Sequence, residues 1–254
     1  MAMWLPFALC YRELLAFRRQ ARQFITLRLI DPLVYFFGIS IGFGHLIATQ
    51  GGVDYKTFIF PGFMAIGCLY LGVIQGAHIA FWRMELLKMW QAMLATPMRL
   101  RDIMMGEMLT VGAKTILVVM LLSLVGVLLG IHFSWVGLLL SLPVFVLGSF
   151  AHMAIAYNIS ARAHSMDDFD IVWLLLITPQ ITLCGAMFST DHFPDWLSLL
   201  IQIFPITHVI EVARPLLLQT AELLPVLGHV SVLVLQTGIF FALAHYQFKK
   251  RLFA

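Results

Sequence analysis

Six apolar stretches, each long enough for a helix to cross a bilayer, constrain this 254-residue chain more than any other feature. A hydrocarbon core of about 30 Å needs roughly 20 apolar helical residues, and every backbone amide within it must be bonded inside the protein. The chain is therefore predicted to be an all-α membrane protein with six transmembrane helices. We place these helices at about Pro32–Ala48, Tyr55–Ala80, Met108–Gly130, Trp135–Ile159, Phe169–Phe188 and Pro225–Tyr246.

The composition agrees with a membrane location. Hydrophobic residues make up 61% of the chain and charged residues 11%, whereas soluble domains carry about 25% charged residues. The small positive net charge is explained by orientation in a bilayer. We therefore expect no nucleic-acid partner.

Lysine and arginine are distributed asymmetrically between the predicted loops. With a cytosolic N-terminus and six spans, fourteen of the sixteen basic residues lie on the cytosolic side, and Lys56 and Arg214 lie outside. Cytosolic loops of membrane proteins carry this kind of excess. Both termini are therefore predicted to be cytosolic.

We predict a single transmembrane domain over residues 1–254. Residues 1–28 combine five arginines with apolar residues, which suits an amphipathic helix in the cytosolic interface. Residues 29–130 hold spans one to three with a cytosolic helix at 84–98, and residues 131–254 hold spans four to six. The external segment 190–224 is too apolar for a free loop and is cut by prolines, so short re-entrant helices are expected there.

Two local signals predict helix starts at the edges of the spans. At the start of span one, Asp31 is a typical N-cap residue and Pro32 is typical of the first helical position. Ser165 with Asp168 three residues later resembles a capping box before span five.

The carboxylates argue against one class of transporter. All thirteen lie outside the predicted spans or at their edges, whereas proton- and sodium-coupled carriers need an ionisable group near the middle of the membrane. The chain also lacks a phosphate-binding loop, and its three cysteines lie far apart. We expect no catalytic residue, no metal site and no cofactor in this chain.

Gly38–Gly42 matches the GxSxG pattern of serine hydrolases, and it is also a GxxxG packing pattern. A nucleophilic serine needs a strand-to-helix turn, but this pattern lies within a predicted helix, so we interpret it as helix packing. An intramembrane hydrolase using Ser40 with His45 or His78 remains an alternative. A channel or an uncoupled lipid scramblase is another.

Residues 81–109 lie between spans two and three and are rich in charge and in methionine. Six apolar residues there recur at helical spacing, and Thr96-Pro97 then interrupts the helix. We expect Thr96 to cap the next helix, with Pro97 at its first position. Because flexible methionine surfaces suit adaptable binding, the segment is predicted to be a short cytosolic helix that docks in another protein. Resting on the bilayer surface is the alternative.

Several motifs resemble the permeases of ABC-2 type transporters. The segment MLATPMRLRDIMMGEML resembles the LLATP segment that follows span two in that family, and YKTFIFPGFMAIG is similar to the family's entry into span two. DDFDIVWLLLITPQITLCGAMFS resembles its fifth span, and FPDWLSLLIQIFPITHVIEVARPLLL its external segment. Within the family the chain is most similar to small permeases related to nodulation-factor exporters. The chain departs from the family at Trp90–Met93, before the LATP sequence, and at His229 and Gln236 in span six.

The resemblance implies a permease that is not itself an enzyme. A separate ABC ATPase subunit would bind ATP and Mg²⁺, and a homodimer of the permease would complete the transporter. Leu86–Pro97 would be the coupling helix, and Ala161–Asp168 would be a second contact. The implied coupling residues are Glu85, Leu86, Met89, Trp90, Met93, Leu94, Ala95, Thr96, Pro97 and Asp167. We expect Trp90 and Met93 to face the ATPase and to be dispensable for folding.

The resemblance also implies the bacterial inner membrane, contact with membrane lipids and outward movement of a lipid-like or lipo-oligosaccharide substrate. A small hydrophobic drug is the alternative cargo. A path for such a substrate would be walled by spans one, two and five. The candidate residues along it are Tyr35, Phe36, Gln75, His78, Gln180 and Thr182.

Overall fold

The computed structural model describes residues 4–44, 49–50 and 52–253, and within them the chain is helical apart from one short strand pair and the connecting loops. The helices are α1 (Leu5–Gly44), α2 (Tyr55–Ile74), α3 (Met89–Leu94), α4 (Leu100–Leu128), α5 (Trp135–Ser160), α6 (Asp170–Val172), α7 (Thr178–Leu183), α8 (Asp195–Ile201), α9 (Pro205–Leu218) and α10 (Leu223–Phe253). The antiparallel strands are β1 (Thr49–Gln50) and β2 (Val53–Asp54).

The predicted class, an all-α membrane protein, is confirmed. Within the described residues, four helices are long and apolar enough to cross a membrane, and the bent pair α8–α9 makes a fifth candidate. The four are Tyr55–Leu86, Leu100–Leu128, Trp135–Ser160 and Leu223–Phe253. Six spans therefore remain a prediction.

The first 40 described helical residues form one helix, α1, where the sequence predicted an interfacial helix followed by a separate span. The predicted helix start at Asp31-Pro32 is wrong, because α1 runs through Pro32 without ending. Proline removes one backbone hydrogen bond, which a helix packed against neighbours tolerates. The N-terminal half of α1 also packs on α4, with Leu9 buried against Gly106.

The central helix of the bundle is α2, and α1, α4, α5 and α9 all pack against it. Two glycines bring α5 close to it. A Cβ on Gly72 would lie 2.4 Å from the Ser149 carbonyl oxygen, and one on Gly76 would lie 2.5 Å from that of Met153. These contacts explain why the second span carries glycines at four-residue spacing.

Two π-helical turns, Gln75–Ile79 and Trp82–Leu86, continue the helix after α2, and the second lies beyond the predicted end of span two. The helix ends where Lys88 adopts a left-handed conformation, with φ of 49°. Single π turns within α-helices are frequent at functional sites. The first contains the candidate path residues Gln75 and His78.

The start of α4 corrects a second prediction. Helix α4 begins at Leu100, three residues later than expected, and the Asp102 carboxylate accepts the Arg99 backbone N–H at 3.0 Å. Thr96 instead closes α3: its hydroxyl donates to the Met93 carbonyl at 2.6 Å. An acidic side chain at the third helical position accepts from an otherwise unbonded N–H. Its negative charge also stabilises the helix by interacting with the positive end of the helix dipole.

The predicted fifth span is divided into short pieces. A 3₁₀ turn at Asp167–Phe169 leads into α6, a π turn at Trp173–Ile177 and α7, which ends at Leu183. The Asp168 carboxylate accepts the backbone N–H of Ser165 at 3.1 Å, so half of the predicted capping box is present. The pKa of Asp168 is lowered by the bond from the His164 backbone N–H and by this bond from Ser165.

The segment between spans five and six contains two short helices, α8 and α9, where short re-entrant helices were predicted. Helices α8 and α9 meet at an angle of 93°, and α9 begins at Pro205. Most of α9 is buried against α2, α5 and α10. This burial explains why the segment is too apolar for a free loop.

Candidate functional site

One end of the bundle holds the N-terminal part of α1, helix α3 and the C-terminal end of α10; we call it the α3 end. Arg251 in α10 binds the Glu85 carboxylate at 2.8 Å and the Ser160 carbonyl at 3.0 Å. Glu85 also binds Lys88 at 2.9 Å. The residues predicted to be cytosolic from both halves of the chain therefore meet here.

A buried polar cluster lies under α3 and consists of Glu13, Arg83, Trp90, Glu107 and Tyr157. Arg83 donates to Glu107 at 3.0 Å and to Glu13. The Trp90 indole donates to Glu107 Oε1 at 3.1 Å, and the Tyr157 hydroxyl donates to its Oε2 at 3.1 Å. The cluster thus connects α1, the end of α2, α3, α4 and α5.

Burial and charge act in opposite directions on Glu13. Burial alone would raise the pKa of its carboxyl group, but Arg83 and Arg12 outweigh that effect and bring the pKa below its ordinary value. Arg12 donates to Glu13 Oε1 at 2.8 Å. The carboxylate therefore stays ionised at neutral pH and holds α1 on the end of α2.

The structure corrects the expected direction of two side chains in α3. Trp90 is 0% exposed and Met93 is 7% exposed. The Trp90 ring packs edge-on against Phe248 and Tyr157, and Arg12 reaches the Met93 sulfur at 3.8 Å. Both residues face the chain's own core. The sequence did not show this, because an apolar helix face looks the same whether it covers the chain's own core or a partner.

The other candidate coupling residues differ in how far they are exposed. Glu85, Met89 and Leu94 are half-buried. The exposed residues are Leu86, Ala95, Thr96, Pro97 and Asp167, together with the neighbouring Leu87, Lys88 and Ala92. The predicted segment 84–98 thus contains the end of the preceding helix and the six-residue helix α3, whose outer side is exposed.

The six candidate path residues lie in several environments. Tyr35 is exposed on α1, whereas its neighbour Phe36 packs edge-on against Phe60 and Phe63. The His78 ring lies 4.8 Å from that of Phe169. Thr182 is exposed and donates to the Thr178 carbonyl.

The two candidate glutamines are both buried. Gln180 Oε1 lies 2.9 Å from His152 Nε2, and His152 Nδ1 lies 2.7 Å from the Gly148 carbonyl. These bonds fix α7 to α5 and favour a structural role for Gln180. Gln75, in contrast, lines a cavity. Of the other candidates, Phe36 lines a smaller cavity, and a shared path for the six residues stays a prediction.

A cavity of 370 Å³ lies between α1, the end of α2 and α4, next to the buried polar cluster. It is lined by Glu13, Ala16, Phe17, Phe24, Leu71, Gln75, Ile79, Trp82, Arg83, Leu87, Met89 and Lys114. Sequence reasoning found only Gln75 among its polar residues. Lys114 lies within the predicted third span, so its position inside an apolar helix was the available signal.

The polar residues that distinguish span six have structural partners at the α8–α9 corner. Gln236 donates to the Ile203 carbonyl at 3.0 Å. His229 Nδ1 lies 2.8 Å from His208 Nδ1, and His208 Nε2 lies 2.8 Å from the Gln202 carbonyl. The sharp bend frees these carbonyls, and buried carbonyls need partners.

Arg214 anchors the opposite end of the bundle. Its guanidinium donates to the carbonyls of Phe58 at 3.1 Å and Gly185 at 2.6 Å, and it lies 4.0 Å from the centre of the Phe58 ring. Glu211, the acidic residue nearest to it in the sequence, is not among its hydrogen-bond partners in the described part of the chain. Arg214 therefore joins α9 to α2 and to the loop after α7.

The arrangement gives no support to a serine hydrolase. Ser40 is buried and faces a small cavity lined by Phe36, Phe37, Ile41, Lys56, Leu129 and Ile131. His78 packs against Phe169 instead, and His45 lies outside the described residues. The described lining residues of this cavity include no histidine that could act as the base for Ser40.

Comparison with known proteins identifies the family. The family model described as ABC-2 type transporter matches residues 6–218. The chain is 32% identical over 241 residues to Nodulation protein J of Rhizobium leguminosarum bv. trifolii, covering 95% of this chain and 91% of that protein.

Two further relatives carry the same name. Nodulation protein J of Rhizobium leguminosarum bv. viciae is 30% identical over 249 residues, 98% of this chain and 95% of that protein. The protein from Rhizobium meliloti (strain 1021) is 32% identical over 215 residues, 85% of this chain and 82% of that protein. The motifs, the helical membrane fold and these matches agree, and the chain belongs to the ABC-2 type transporter family.

Proposed function

We propose that this chain is the permease subunit of an ATP-driven exporter, with its α3 end in the cytosol. The observation that carries the proposal is the attachment of α3: its inner side is fixed to the bundle by Trp90 and Met93, and its outer side is exposed. Through such a helix, a movement of a bound subunit would be transmitted to the bundle.

The ATPase would be a separate chain that binds ATP and Mg²⁺, as family membership implies for an ABC transporter. Its contact surface here would be the exposed residues around α3, with Asp167 and its loop as a second contact. A second permease copy would complete the transporter, in the bacterial inner membrane with both termini cytosolic.

The buried polar cluster supports a route for the coupling. A movement of α3 would act on Glu107 in α4 through Trp90, and through Arg83 on Glu13 in α1. Buried charge-assisted bonds resist separation, so the connected helices would move together. Nucleotide binding and hydrolysis would then favour different arrangements of the two permeases by differential binding.

The cargo proposed is a lipid-like amphiphile of the lipo-oligosaccharide type, moved outward. Relatives named Nodulation protein J support a link to nodulation. The similarity of the motifs to nodulation-factor exporters supports the substrate class.

The test is purification of the tagged chain from its native membrane in mild detergent, followed by an ATP hydrolysis assay and identification of bound proteins. Wild type should carry an ABC ATPase and hydrolyse ATP. Leu86→Asp, on the exposed side near α3, should lose both while eluting as a folded protein. Leu224→Asp is the matched control, since Leu224 is exposed at the start of α10, away from α3.

The competing functions give different results. An uncoupled scramblase or channel would move lipid in proteoliposomes made from the purified chain alone, without ATP. That result, together with no ATPase bound to wild type, would overturn the proposal.

A further inference from the structure

We infer that a cavity at the end of the bundle opposite to the α3 end is a binding site for a neutral oligosaccharide. Its volume is 730 Å³, within the range of about 300–1,000 Å³ found for ligand sites. It lies between the start of α2, the start of α5 and the end of α9, on the side of the membrane predicted to be external. Assigning the oligosaccharide to the cargo rests on the proposed function, whereas binding itself does not.

Two aromatic residues line the cavity. The ring centres of Phe133 and Trp135 lie 5.4 Å apart, and the Phe133 ring stacks on that of the buried Phe60 at 6.1 Å. Trp135 is 57% exposed, so a ligand can reach its ring. Sugar rings with equatorial hydroxyls have flat faces of weakly positive C–H groups, which pack against the negative face of an aromatic ring.

The polar side chains in the lining match the hydroxyl groups of a sugar. They supply a carboxylate, hydroxyls, an imidazole and an amide, and they are Asp54, Thr57, His132, Ser134 and Gln219. Such groups donate to and accept from hydroxyls. Asp54 precedes α2, but its side chain makes no cap bond there. Because the described lining contains no lysine or arginine, it favours a neutral ligand over an anionic one.

Ser134 and Gln219 leave hydrogen-bonding capacity for a ligand. Ser134 Oγ accepts the Gly137 backbone N–H at 3.1 Å and the Gln219 side-chain amide at 3.1 Å. A hydroxyl has two acceptor positions and one O–H donor. The pair therefore offers a ligand the Ser134 O–H as a donor and the Gln219 side-chain oxygen as an acceptor.

The backbone of Gln219 also indicates a functional position. Its φ is 60°, a left-handed conformation that glycine or asparagine usually adopts after a helix. Residues in such strained conformations cluster at ligand and active sites. A glutamine at a position where glycine would suit the backbone better is explained by a role of its side chain in the cavity.

The first experiment measures binding to the purified chain alone, so it does not depend on an ATPase. Isothermal titration calorimetry, in a detergent without a sugar headgroup, would compare cellotetraose, which is neutral, with tetraglucuronate, in which each sugar carries a carboxylate. Wild type should bind cellotetraose more tightly. Gln219→Gly suits the left-handed backbone and should keep the Tm, but it should weaken cellotetraose binding by about two- to tenfold through the lost hydrogen bond.

The aromatic contribution has a matched control. Trp135→Ala should weaken cellotetraose binding by about tenfold or more, since buried aromatic contacts dominate many binding sites. Trp196→Ala removes another exposed ring, on α8, which is not among the described lining residues, and should bind like wild type. Trp135→Phe keeps an aromatic ring and should retain most of the binding even if Trp135→Ala folds poorly.

Charge selectivity gives an independent readout. Asp54→Asn removes the carboxylate of the lining and should improve tetraglucuronate binding relative to cellotetraose. The inference would be overturned if wild type did not bind cellotetraose, if Gln219→Gly bound it as tightly as wild type, or if Trp135→Ala and Trp196→Ala lost equally.

A second arm distinguishes the sugar portion of the cargo from a saccharide of the surroundings, both of which have the inferred chemistry. In the chain assembled with its ATPase, cellotetraose that changes ATP hydrolysis in wild type but not in Gln219→Gly would mark a site for the cargo. Binding without such a change would mark a site for a saccharide of the surroundings. A failure of the ATPase to assemble would contradict the proposed function and leave the binding result standing.

Discussion

The Trp90 indole nitrogen donates a hydrogen bond to the Glu107 carboxylate at 3.1 Å, and both side chains are almost completely buried. This bond fixes the short helix α3 to the long helix α4. The helix expected to dock on a partner is therefore a packed part of the bundle. Two kinds of substitution in α3 should consequently have different effects.

Trp90 should be required for folding, in contrast to the expectation from sequence. Trp90→Ala would remove a buried ring at a cost of about 3–5 kcal/mol, and Trp90→Phe would lose mainly a bond to a charged group, about 1.5–3 kcal/mol. Thermal unfolding in detergent should rank the Tm values as wild type, Trp90→Phe and Trp90→Ala. A Trp90→Ala protein as stable as wild type would show that α3 is not anchored this way.

Acid should weaken the attachment of α1. The pKa of Glu13 is lowered in the folded protein from its ordinary value of 4.5. Its contribution to stability is therefore complete above pH 4.5 and is lost as the pH falls through the lowered pKa. The Tm should drop more in wild type than in Glu13→Gln between pH 6 and pH 3.5. Parallel pH profiles would contradict this assignment.

Alanine substitutions should change the Tm differently at glycines that permit close packing and at glycines that do not. A Cβ on Gly62 would lie 2.2 Å from the Ala186 carbonyl oxygen, whereas one on Gly38 or Gly42 would meet no described residue within 4 Å. Gly62→Ala should destabilise by about 1–3 kcal/mol or more. Gly38→Ala should keep or raise the Tm, because alanine favours the helix by about 1 kcal/mol.

The same comparison tests the predicted homodimer. Within the described residues, a Cβ on Gly38 or Gly42 would meet nothing, so these glycines do not mark a close helix contact in that part of the chain. If Gly38→Ala leaves the Tm unchanged but lowers the dimer fraction by size-exclusion chromatography, the glycines serve packing between copies.

Arginine should be required at position 214. Lysine has one compact ammonium group and could not bond the Phe58 and Gly185 carbonyls while also stacking on the Phe58 ring. An unsatisfied buried carbonyl costs about 1–3 kcal/mol, so Arg214→Lys should lower the Tm. Arg101→Lys, at an exposed position on α4, is the control and should have no effect.

The sequence by itself determined the class of the protein and the starts of some of its helices. Helix α5 begins at the predicted residue, Trp135, and α9 begins at Pro205. Long apolar stretches and prolines act through local chemistry, namely the thickness of the bilayer and the missing backbone N–H. Such features can be read without knowing what packs against them.

Only the tertiary structure decided which side of α3 is free and where charges are buried. Arg83 joins Glu107, 24 residues away, to Glu13, 70 residues away. The amphipathic pattern around Trp90 is the same whether that face covers the chain's own core or a partner. Its burial depends on contacts between residues far apart in the sequence, and those contacts exist only once the helices have packed.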